Sequence, residues 1–145
     1  NPSIKPKLDR EALWKGFVAG DIDIIATDHA PHTLEEKKKP YQDAQSGVPG
    51  VETSMPLLLD LALRKKVDIG RVVDACCQRP AEIFAWKSKG RISKGFDADL
   101  IIVDPKKTST IENERLFTKA GYSPFNGRKL KGFVEKTLVG GNVFG

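Results

Sequence analysis

The sequence predicts an α/β protein with two parts, residues 1–86 and residues 87–145. In the first part, segments with helical apolar spacing flank a short β-branched run, an arrangement typical of parallel α/β folds. In the second part, short apolar runs are separated by glycine-containing turns, which is typical of antiparallel strands. Hydrophobic residues make up 39% of the chain and charged residues 30%, which is the composition of a globular protein with a core.

The first predicted elements are a helix and the buried strand that follows it. The helix is predicted over residues 7–21, with Asp9 as its N-cap and Gly20 at its carboxyl end. Its apolar face is predicted to comprise Leu13, Trp14, Phe17 and Val18. The strand is predicted over residues 22–27, since its centre at residues 24–26 shows little alternation, as expected when both faces of a strand are covered.

A loop and further helices complete the first part. The loop is predicted over residues 33–50, which hold a charge run, glycines and prolines without an apolar period. The further helices are predicted over residues 53–66, 68–78 and 80–86. Pro56 suits the first turn of the first of them, and Pro80 is expected to separate the other two.

The second part contains two predicted strand regions. Residues 90–105 are expected to form a strand, a turn and then a strong strand at residues 100–103. Residues 131–145 alternate and then turn at Gly140 and Gly141, which indicates a hairpin.

The composition argues against a membrane protein and against a redox or metal role for the cysteines. No apolar run approaches the roughly 18 residues that a membrane-spanning helix needs. Cys76 and Cys77 are adjacent, a spacing that fits no metal or redox motif and favours a reduced pair in a cytoplasmic protein. The chain opens on Asn1 without a signal pattern, and its only methionine is Met55, which favours a mature, processed or truncated piece.

The charge of the chain does not indicate a nucleic-acid partner. The net charge is +5 and the pI about 9.2, but the basic clusters at residues 35–40, 64–66 and 127–132 are far apart in sequence. Aromatic residues do not alternate with the lysines, and glutamates dilute the first cluster. A solvated basic surface is therefore favoured over a nucleic-acid groove.

The chain's only two histidines, His29 and His32, lie beside Asp28 at the end of the predicted buried strand. Functional groups gather at the carboxyl ends of parallel strands, and a carboxylate there can bind a metal or accept a proton. The same short pattern also fits a capped turn with two surface histidines. A catalytic zinc normally has three protein ligands that come from several elements. Asp28, His29 and His32 lie on one segment and so do not match such a ligand set by themselves.

The motif "ATDHAPHT", followed by "SGVPGVETSMPLLL", resembles the type I branch of the dihydroorotase family of amidohydrolases. The similarity continues in "RPAEIF", "GRISKGFDADLIIVDP" and "SPFNGRKLKGFVEKTLVGGNVF", and so extends over almost the whole chain. Hydantoinases and allantoinases are similar in the "DADLIIVD" region but differ after the strand aspartate.

The resemblance implies the carboxyl-terminal part of a metal-dependent (β/α)8 barrel plus part of a small β-sandwich domain. A complete barrel takes about 250 residues, more than this chain contains. Residues 1–86 would supply the last barrel strand and its helices, and residues 87–145 the carboxyl-terminal share of the β-domain. The implied cofactor is zinc, as one or two ions. The remaining ligands, a His-x-His pair, a carboxylated lysine and two further histidines, would lie upstream of Asn1.

The resemblance also implies roles for individual residues. Asp28 corresponds to the family's last-strand aspartate, which is both a metal ligand and the catalytic general base. The implied substrate-binding residues are Asn1, His32, Ser46 and Gly47. His29 corresponds to no residue with such a role and is expected to be structural.

The implied activity is the reversible hydrolysis of (S)-dihydroorotate to N-carbamoyl-L-aspartate in de novo pyrimidine biosynthesis, by a metal-activated hydroxide. The implied partners are a small-molecule substrate, the amino-terminal portion of the same enzyme, and either a second copy or aspartate carbamoyltransferase. Two alternatives remain open, an inactive dihydroorotase-like partner of aspartate carbamoyltransferase and another cyclic-amide hydrolase such as an allantoinase. A stand-alone binding module is disfavoured, because an isolated barrel strand would leave a parallel sheet edge uncovered.

Overall fold

Helices precede an antiparallel sheet in the computed structural model, which describes residues 3–145. The helices are α1 Lys7–Ala19, α2 Leu34–Lys37, α3 Val51–Leu63, α4 Ile69–Val73 and α5 Arg79–Ile83, with a π-helical turn Asp74–Gln78 between the last two. The strands are β1 Leu100–Thr110, β2 Lys129–Val139 and β3 Asn142–Phe144, and a 3-10 turn spans Asn113–Arg115. No helix among residues 3–145 is long and apolar enough to span a bilayer.

Helix α1 confirms the first predicted helix but begins differently. Its N-cap is Pro6, and no side chain within residues 3–145 caps it, so the prediction that Asp9 is the N-cap was wrong. The helix starts two residues before Asp9, which therefore lies in the first turn, where a carboxylate still complements the helix dipole. Gly20 ends the helix in the left-handed region, with a φ of 94°.

Only half of the predicted apolar face of α1 is covered. Phe17 is buried, and Trp14 packs against it with ring centroids 5.5 Å apart. Leu13 and Val18 remain 56% and 44% exposed. The buried half faces a small core made of Phe17, Leu58, Val67, Val72 and Ala75.

The predicted strand at residues 22–27 forms no ladder with any part of the chain that the structure describes. Ile24 and Ile25 are only half-buried rather than covered on both faces, and the Ile25 N–H donates to the Ala75 carbonyl at 3.2 Å. A parallel strand exists only through hydrogen bonds to neighbouring strands, and residues 3–145 provide none beside this segment.

The predicted loop at residues 33–50 contains the short helix α2. The Thr33 hydroxyl accepts the Glu36 N–H while the Glu36 carboxylate accepts the Thr33 N–H, which is a capping box. Its T-x-x-E signal is present in the sequence. Helix α3 starts at Val51, earlier than predicted, so Pro56 lies in the second turn rather than the first.

Pro80 does not separate two helices, contrary to the prediction. Helix α4, the π-helical turn and α5 follow one another without a gap from residue 69 to residue 83. The Arg79 N–H reaches back to the Asp74 carbonyl, five residues earlier. Because Pro80 has no N–H, the wider π-helical turn lets the chain pass the proline while the helix continues.

The sheet confirms the predicted carboxyl-terminal hairpin. Its strand order is β1-β2-β3, all antiparallel, and Gly140 and Gly141 form the turn with φ values of 55° and 83°. The strong strand predicted at residues 100–103 forms the start of β1, whereas the segment at residues 90–99 contains no strand. The Asp99 carboxylate accepts the Gly140 N–H at 2.7 Å and so fixes the turn.

A buried carboxylate joins the sheet to α3. Asp60 is only 3% exposed and accepts the Lys131 N–H of β2 at 2.8 Å and the Arg64 Nε–H at 2.7 Å. Burial acts to raise the pKa of Asp60, but these two donors outweigh it and hold the pKa below its usual value. Close to this contact, Gly132 has a φ of 92°, which favours glycine, and a β-carbon there would lie 2.6 Å from a Leu63 methyl carbon, which would have to shift.

Candidate functional site

Two loops that are distant in sequence lie side by side near the start of α3. The first, residues 28–32, follows the predicted strand, and the second, residues 45–50, leads into α3. His29 and Val48 form an isolated parallel bridge, and the Ala30 N–H donates to the Val48 carbonyl at 3.1 Å. We call these two loops the paired loops. Four of the five predicted site residues, Asp28, His32, Ser46 and Gly47, lie on them.

Asp28 is an exposed carboxylate on a turn of unusual backbone geometry. Its φ is 45°, in the left-handed region that aspartate and asparagine tolerate better than most residues. Its carboxylate has no hydrogen bond or ion pair with any described residue. An exposed carboxylate with unused oxygens, at the end of a strand-forming segment, can bind a metal ion or accept a proton.

His29 faces the beginning of α3. Its Nδ1 accepts the Gly50 N–H at 3.1 Å and the Val51 N–H at 3.2 Å. Both amides belong to the first turn of a helix that has no other side-chain cap, so the imidazole takes the place of the usual capping oxygen. To accept these bonds, Nδ1 must be unprotonated, which assigns the proton of the neutral ring to Nε2.

His32 lies at the far end of the first loop and is one third exposed. Its N–H donates to the Ala30 carbonyl at 2.9 Å, and its Nδ1 lies 3.9 Å from Glu36 Oε2, too far for a hydrogen bond. The Thr33 N–H and hydroxyl hold the pKa of the Glu36 carboxyl below its usual value. His32 therefore has an accessible imidazole beside a carboxylate that the helix cap already engages.

Gly47 allows the close approach of the two loops. Its φ is 99°, and a β-carbon there would lie 2.4 Å from the Ala30 β-carbon. Both the conformation and the space therefore require glycine. Ser46, beside it, is exposed.

Lys37 holds the second loop in place and was not predicted to belong to the site. Its Nζ donates to the Gln45 carbonyl at 2.7 Å and to the Gly47 carbonyl at 2.8 Å. The sequence suggested only a solvated charge run. The T-x-x-E pattern at Thr33 was the available signal for this contact. It indicates the helix α2, whose last residue is Lys37.

Asn1, the fifth predicted site residue, lies outside the described residues. Among residues 3–145, no group of three or more histidine, cysteine, aspartate or glutamate side chains could hold a metal ion. Asp28 fits such an ion as a single oxygen ligand. Burial raises the pKa of Cys76 to about 11 and also raises that of Cys77, so both stay protonated thiols near neutral pH and are poor ligands.

Comparisons with known proteins agree with one another on the family. The model of the amidohydrolase family matches residues 4–144. The chain is 44% identical over 143 residues to the dihydroorotase of Halobacterium salinarum and 41% identical over 142 residues to that of Pyrococcus furiosus. These matches cover 99% and 98% of the chain, but 34% and 33% of the two relatives. The chain thus spans about a third of the length of the curated relatives it matches.

Solved structures of the same family share the fold. The D-hydantoinase (dihydropyrimidinase) from Thermus sp. superimposes with a TM-score of 0.92 at 31% identity, covering 99% of this chain and 32% of that protein. The L-hydantoinase (dihydropyrimidinase) from Arthrobacter aurescens superimposes with a TM-score of 0.90, also at 31% identity, covering 98% of this chain and 33% of that protein.

Proposed function

Because the chain belongs to the amidohydrolase family, we propose that it forms the carboxyl-terminal third of a cytoplasmic dihydroorotase. The complete enzyme would catalyse the reversible hydrolysis of (S)-dihydroorotate to N-carbamoyl-L-aspartate in pyrimidine biosynthesis. By complete enzyme we mean this chain joined to the amino-terminal two thirds that its relatives carry. The observation that carries the proposal is the backbone pairing of the two loops, one of which carries Asp28 and His32 and the other Ser46 and Gly47.

The identities favour this substrate over those of other cyclic-amide hydrolases. Identity to the curated dihydroorotases reaches 44%, against 31% to the hydantoinases of known structure. The motif "ATDHAPHT" with "SGVPGVETSMPLLL" resembles dihydroorotases, whereas hydantoinases and allantoinases differ after the strand aspartate. An inactive homologue is disfavoured by the retained carboxylate of Asp28 and the accessible imidazole of His32.

Asp28 would act as both a metal ligand and a proton carrier. A divalent ion such as zinc, when bound, supplies a water activated near neutral pH and polarises a carbonyl group. Asp28 would hold that ion through one carboxylate oxygen, with the other ligands coming from the amino-terminal part. During ring opening, Asp28 accepts the proton of the attacking water and returns it to the ring nitrogen as the amide bond breaks.

The first loop and the second would bind the substrate. Dihydroorotate carries a carboxylate and ring amide groups, which require hydrogen-bond donors and positive charge. His32 offers an accessible imidazole, and the Ser46–Gly47 backbone lies on the facing loop. Asn1 is the further proposed contact.

The proposed architecture is the last strand of a (β/α)8 barrel with a share of a β-sandwich. Two observations support the need for an amino-terminal part. Residues 22–27 have strand-forming composition but no neighbouring strand within residues 3–145. The sheet exposes apolar side chains such as Ile102 and Phe144, and a cleft of about 830 Å³ lies between α3 and the sheet. We therefore expect the isolated chain to be inactive.

The proposed function is tested by assaying the complete enzyme on three cyclic amides. Dihydroorotate should be hydrolysed, and N-carbamoyl-L-aspartate should close in the reverse direction, while allantoin and hydantoin react far more slowly. The isolated chain is the negative control. Preferred hydrolysis of allantoin or hydantoin would contradict the substrate assignment, and no hydrolysis with metal bound would contradict the proposal that the protein is an enzyme.

Replacement of His32 by alanine should raise KM more than it lowers kcat. A substrate contact that is equally strong in the ground and transition states affects binding and not the chemical step. Loss of one charge-assisted hydrogen bond is worth about 1.5–3 kcal/mol, which corresponds to a rise of about 10- to 100-fold in KM. Steady-state kinetics with dihydroorotate measure it, with Glu35→Ala on the neighbouring exposed surface as the control. An unchanged KM would remove His32 from the site.

A further inference from the structure

His29 connects three parts of the molecule through its backbone and one ring nitrogen. It follows Asp28 directly in the chain, its backbone bridges to Val48, and its Nδ1 accepts the Gly50 and Val51 N–H groups. The first turn of α3 and the second of the paired loops are thus held by the residue next to Asp28. No other side chain of the described residues caps this helix.

The two loops are also held together by close packing of their backbones. Gly47 packs against Ala30 at a distance that excludes a β-carbon, and a β-carbon at Gly50 would lie 3.1 Å from the Thr27 β-carbon. The loops therefore pack closely at both ends. The backbone bond from the Ala30 N–H to the Val48 carbonyl joins their centres, and the imidazole adds two bonds at the start of α3. A displacement of the second loop would move Ser46 and Gly47 relative to Asp28.

We propose that His29 is a positioning residue for the hydrolytic site, which holds the Ser46–Gly47 loop at a set distance from Asp28 by capping α3 through Nδ1. The proposal rests on the proposed function, because it assigns the paired loops to the substrate site. His29 itself touches neither the substrate nor the metal in this role. Its effect on turnover comes from the placement of the two loops, and a misplacement of 1 Å can cost about 100-fold in rate.

Three substitutions separate the Nδ1 role from other roles of the ring. In asparagine, Oδ1 is bonded to Cγ as Nδ1 is in histidine, so His29→Asn retains an acceptor in the correct place. In glutamine, the amide oxygen is one bond farther out, near the position of Nε2, and His29→Ala has no acceptor. We expect kcat/KM of His29→Asn to stay within about threefold of wild type, and that of His29→Gln and His29→Ala to fall about 10- to 100-fold.

A matched cap far from the site controls for helix stability. The Asp68 carboxylate accepts the Gly70 N–H at 2.8 Å and caps α4. Asp68→Ala therefore removes a cap of the same kind without touching the paired loops. It should lower the melting temperature while leaving kcat/KM, measured well below that temperature, unchanged.

Kinetics of the complete enzyme are combined with amide hydrogen exchange of Gly50 and Val51. Faster exchange in His29→Ala and His29→Gln, protection in His29→Asn and the matching order of kcat/KM support the proposal. Equal kcat/KM for the asparagine and glutamine variants, or activity lost only in proportion to unfolding as in Asp68→Ala, would overturn it. If the wild type hydrolyses a different cyclic amide, the substrate assignment fails, and the same series measured with that compound still decides the role of His29. A wild type that hydrolyses no cyclic amide overturns both proposals.

Discussion

Replacement of Asp28 by asparagine is expected to lower kcat of the complete enzyme by about 10²- to 10⁴-fold, the usual contribution of a general base. The asparagine side chain has nearly the same shape but cannot accept and return a proton at neutral pH. The rate should fall equally in kcat and kcat/KM, since proton transfer belongs to the transition state.

Asparagine is a better test than alanine because of the backbone at this position. Asp28 has a φ of 45°, and asparagine tolerates the left-handed region whereas alanine pays a penalty of about 1–2 kcal/mol there. An alanine variant would therefore combine the loss of the carboxylate with a shift of the turn. Asp28→Asn changes the chemistry and retains the conformation.

The metal content of each variant must be measured together with turnover. Asp43 is an exposed aspartate in the neighbouring turn, so Asp43→Asn removes the same charge and serves as the control, with unchanged turnover expected. If Asp28→Asn binds metal normally and turns over at the wild-type rate, Asp28 is not the general base. If the variant loses metal, the ligand role is supported, and added metal should restore occupancy before the rate is compared.

The sequence predicted those elements whose stabilising contacts are local. The capping glycine of α1 and the Gly140–Gly141 hairpin were predicted because each signal lies within a few residues of the structure it determines. The apolar period of α3 likewise needs no distant partner. The T-x-x-E pattern at Thr33 is an equally local signal, and it indicates α2 inside the segment predicted as a loop.

The features that were mispredicted or missed depend on contacts between distant segments. Residues 22–27 have the composition of a buried strand, but a strand needs neighbours, and none is available in residues 3–145. The cap that His29 provides joins residues more than twenty positions apart, and no spacing rule anticipates it. The continuation of the helix across Pro80 likewise depends on the π-helical turn before it.

The site itself could be predicted mainly through the resemblance to a family. Spacing alone left Asp28, His29 and His32 compatible with a surface turn. The roles of Ser46 and Gly47 had no chemical signal at all, since neither residue type is diagnostic of binding. The structure adds that the loop carrying Ser46 and Gly47 pairs with the loop that begins at Asp28.

Arg71 joins three segments of the helical part. Its side chain is 12% exposed, and its guanidinium donates to the Phe17 carbonyl at 2.8 Å, to the Asp74 carboxylate at 2.8 Å and to the Ile22 carbonyl. It also lies 4.8 Å above the centre of the Phe17 ring. One side chain thus joins the end of α1, the segment that leads to Asp28, and α4.

Replacement of Arg71 by alanine is expected to lower the free energy of unfolding by about 3 kcal/mol. Each hydrogen bond from a charged donor contributes about 1.5–3 kcal/mol. The Ile22 carbonyl would lose its guanidinium partner, and the Phe17 carbonyl would keep only the Gly20 N–H. Arg71→Lys should recover less than half of the loss, because one ammonium group cannot reach three acceptors in different directions.

Urea and thermal unfolding of the complete enzyme, followed by circular dichroism, measure this loss. Arg115→Ala is the matched control, since Arg115 is 79% exposed and, within residues 3–145, forms an ion pair with Glu112 alone. Its removal should change stability by less than about 0.5 kcal/mol. An Arg71→Ala protein as stable as Arg115→Ala would show that the three segments are held together without the guanidinium.

Because the Ile22 carbonyl starts the segment that ends at Asp28, we also expect Arg71→Ala to lower kcat at temperatures where the protein is still folded. An unchanged kcat there would mean that the paired loops alone position Asp28.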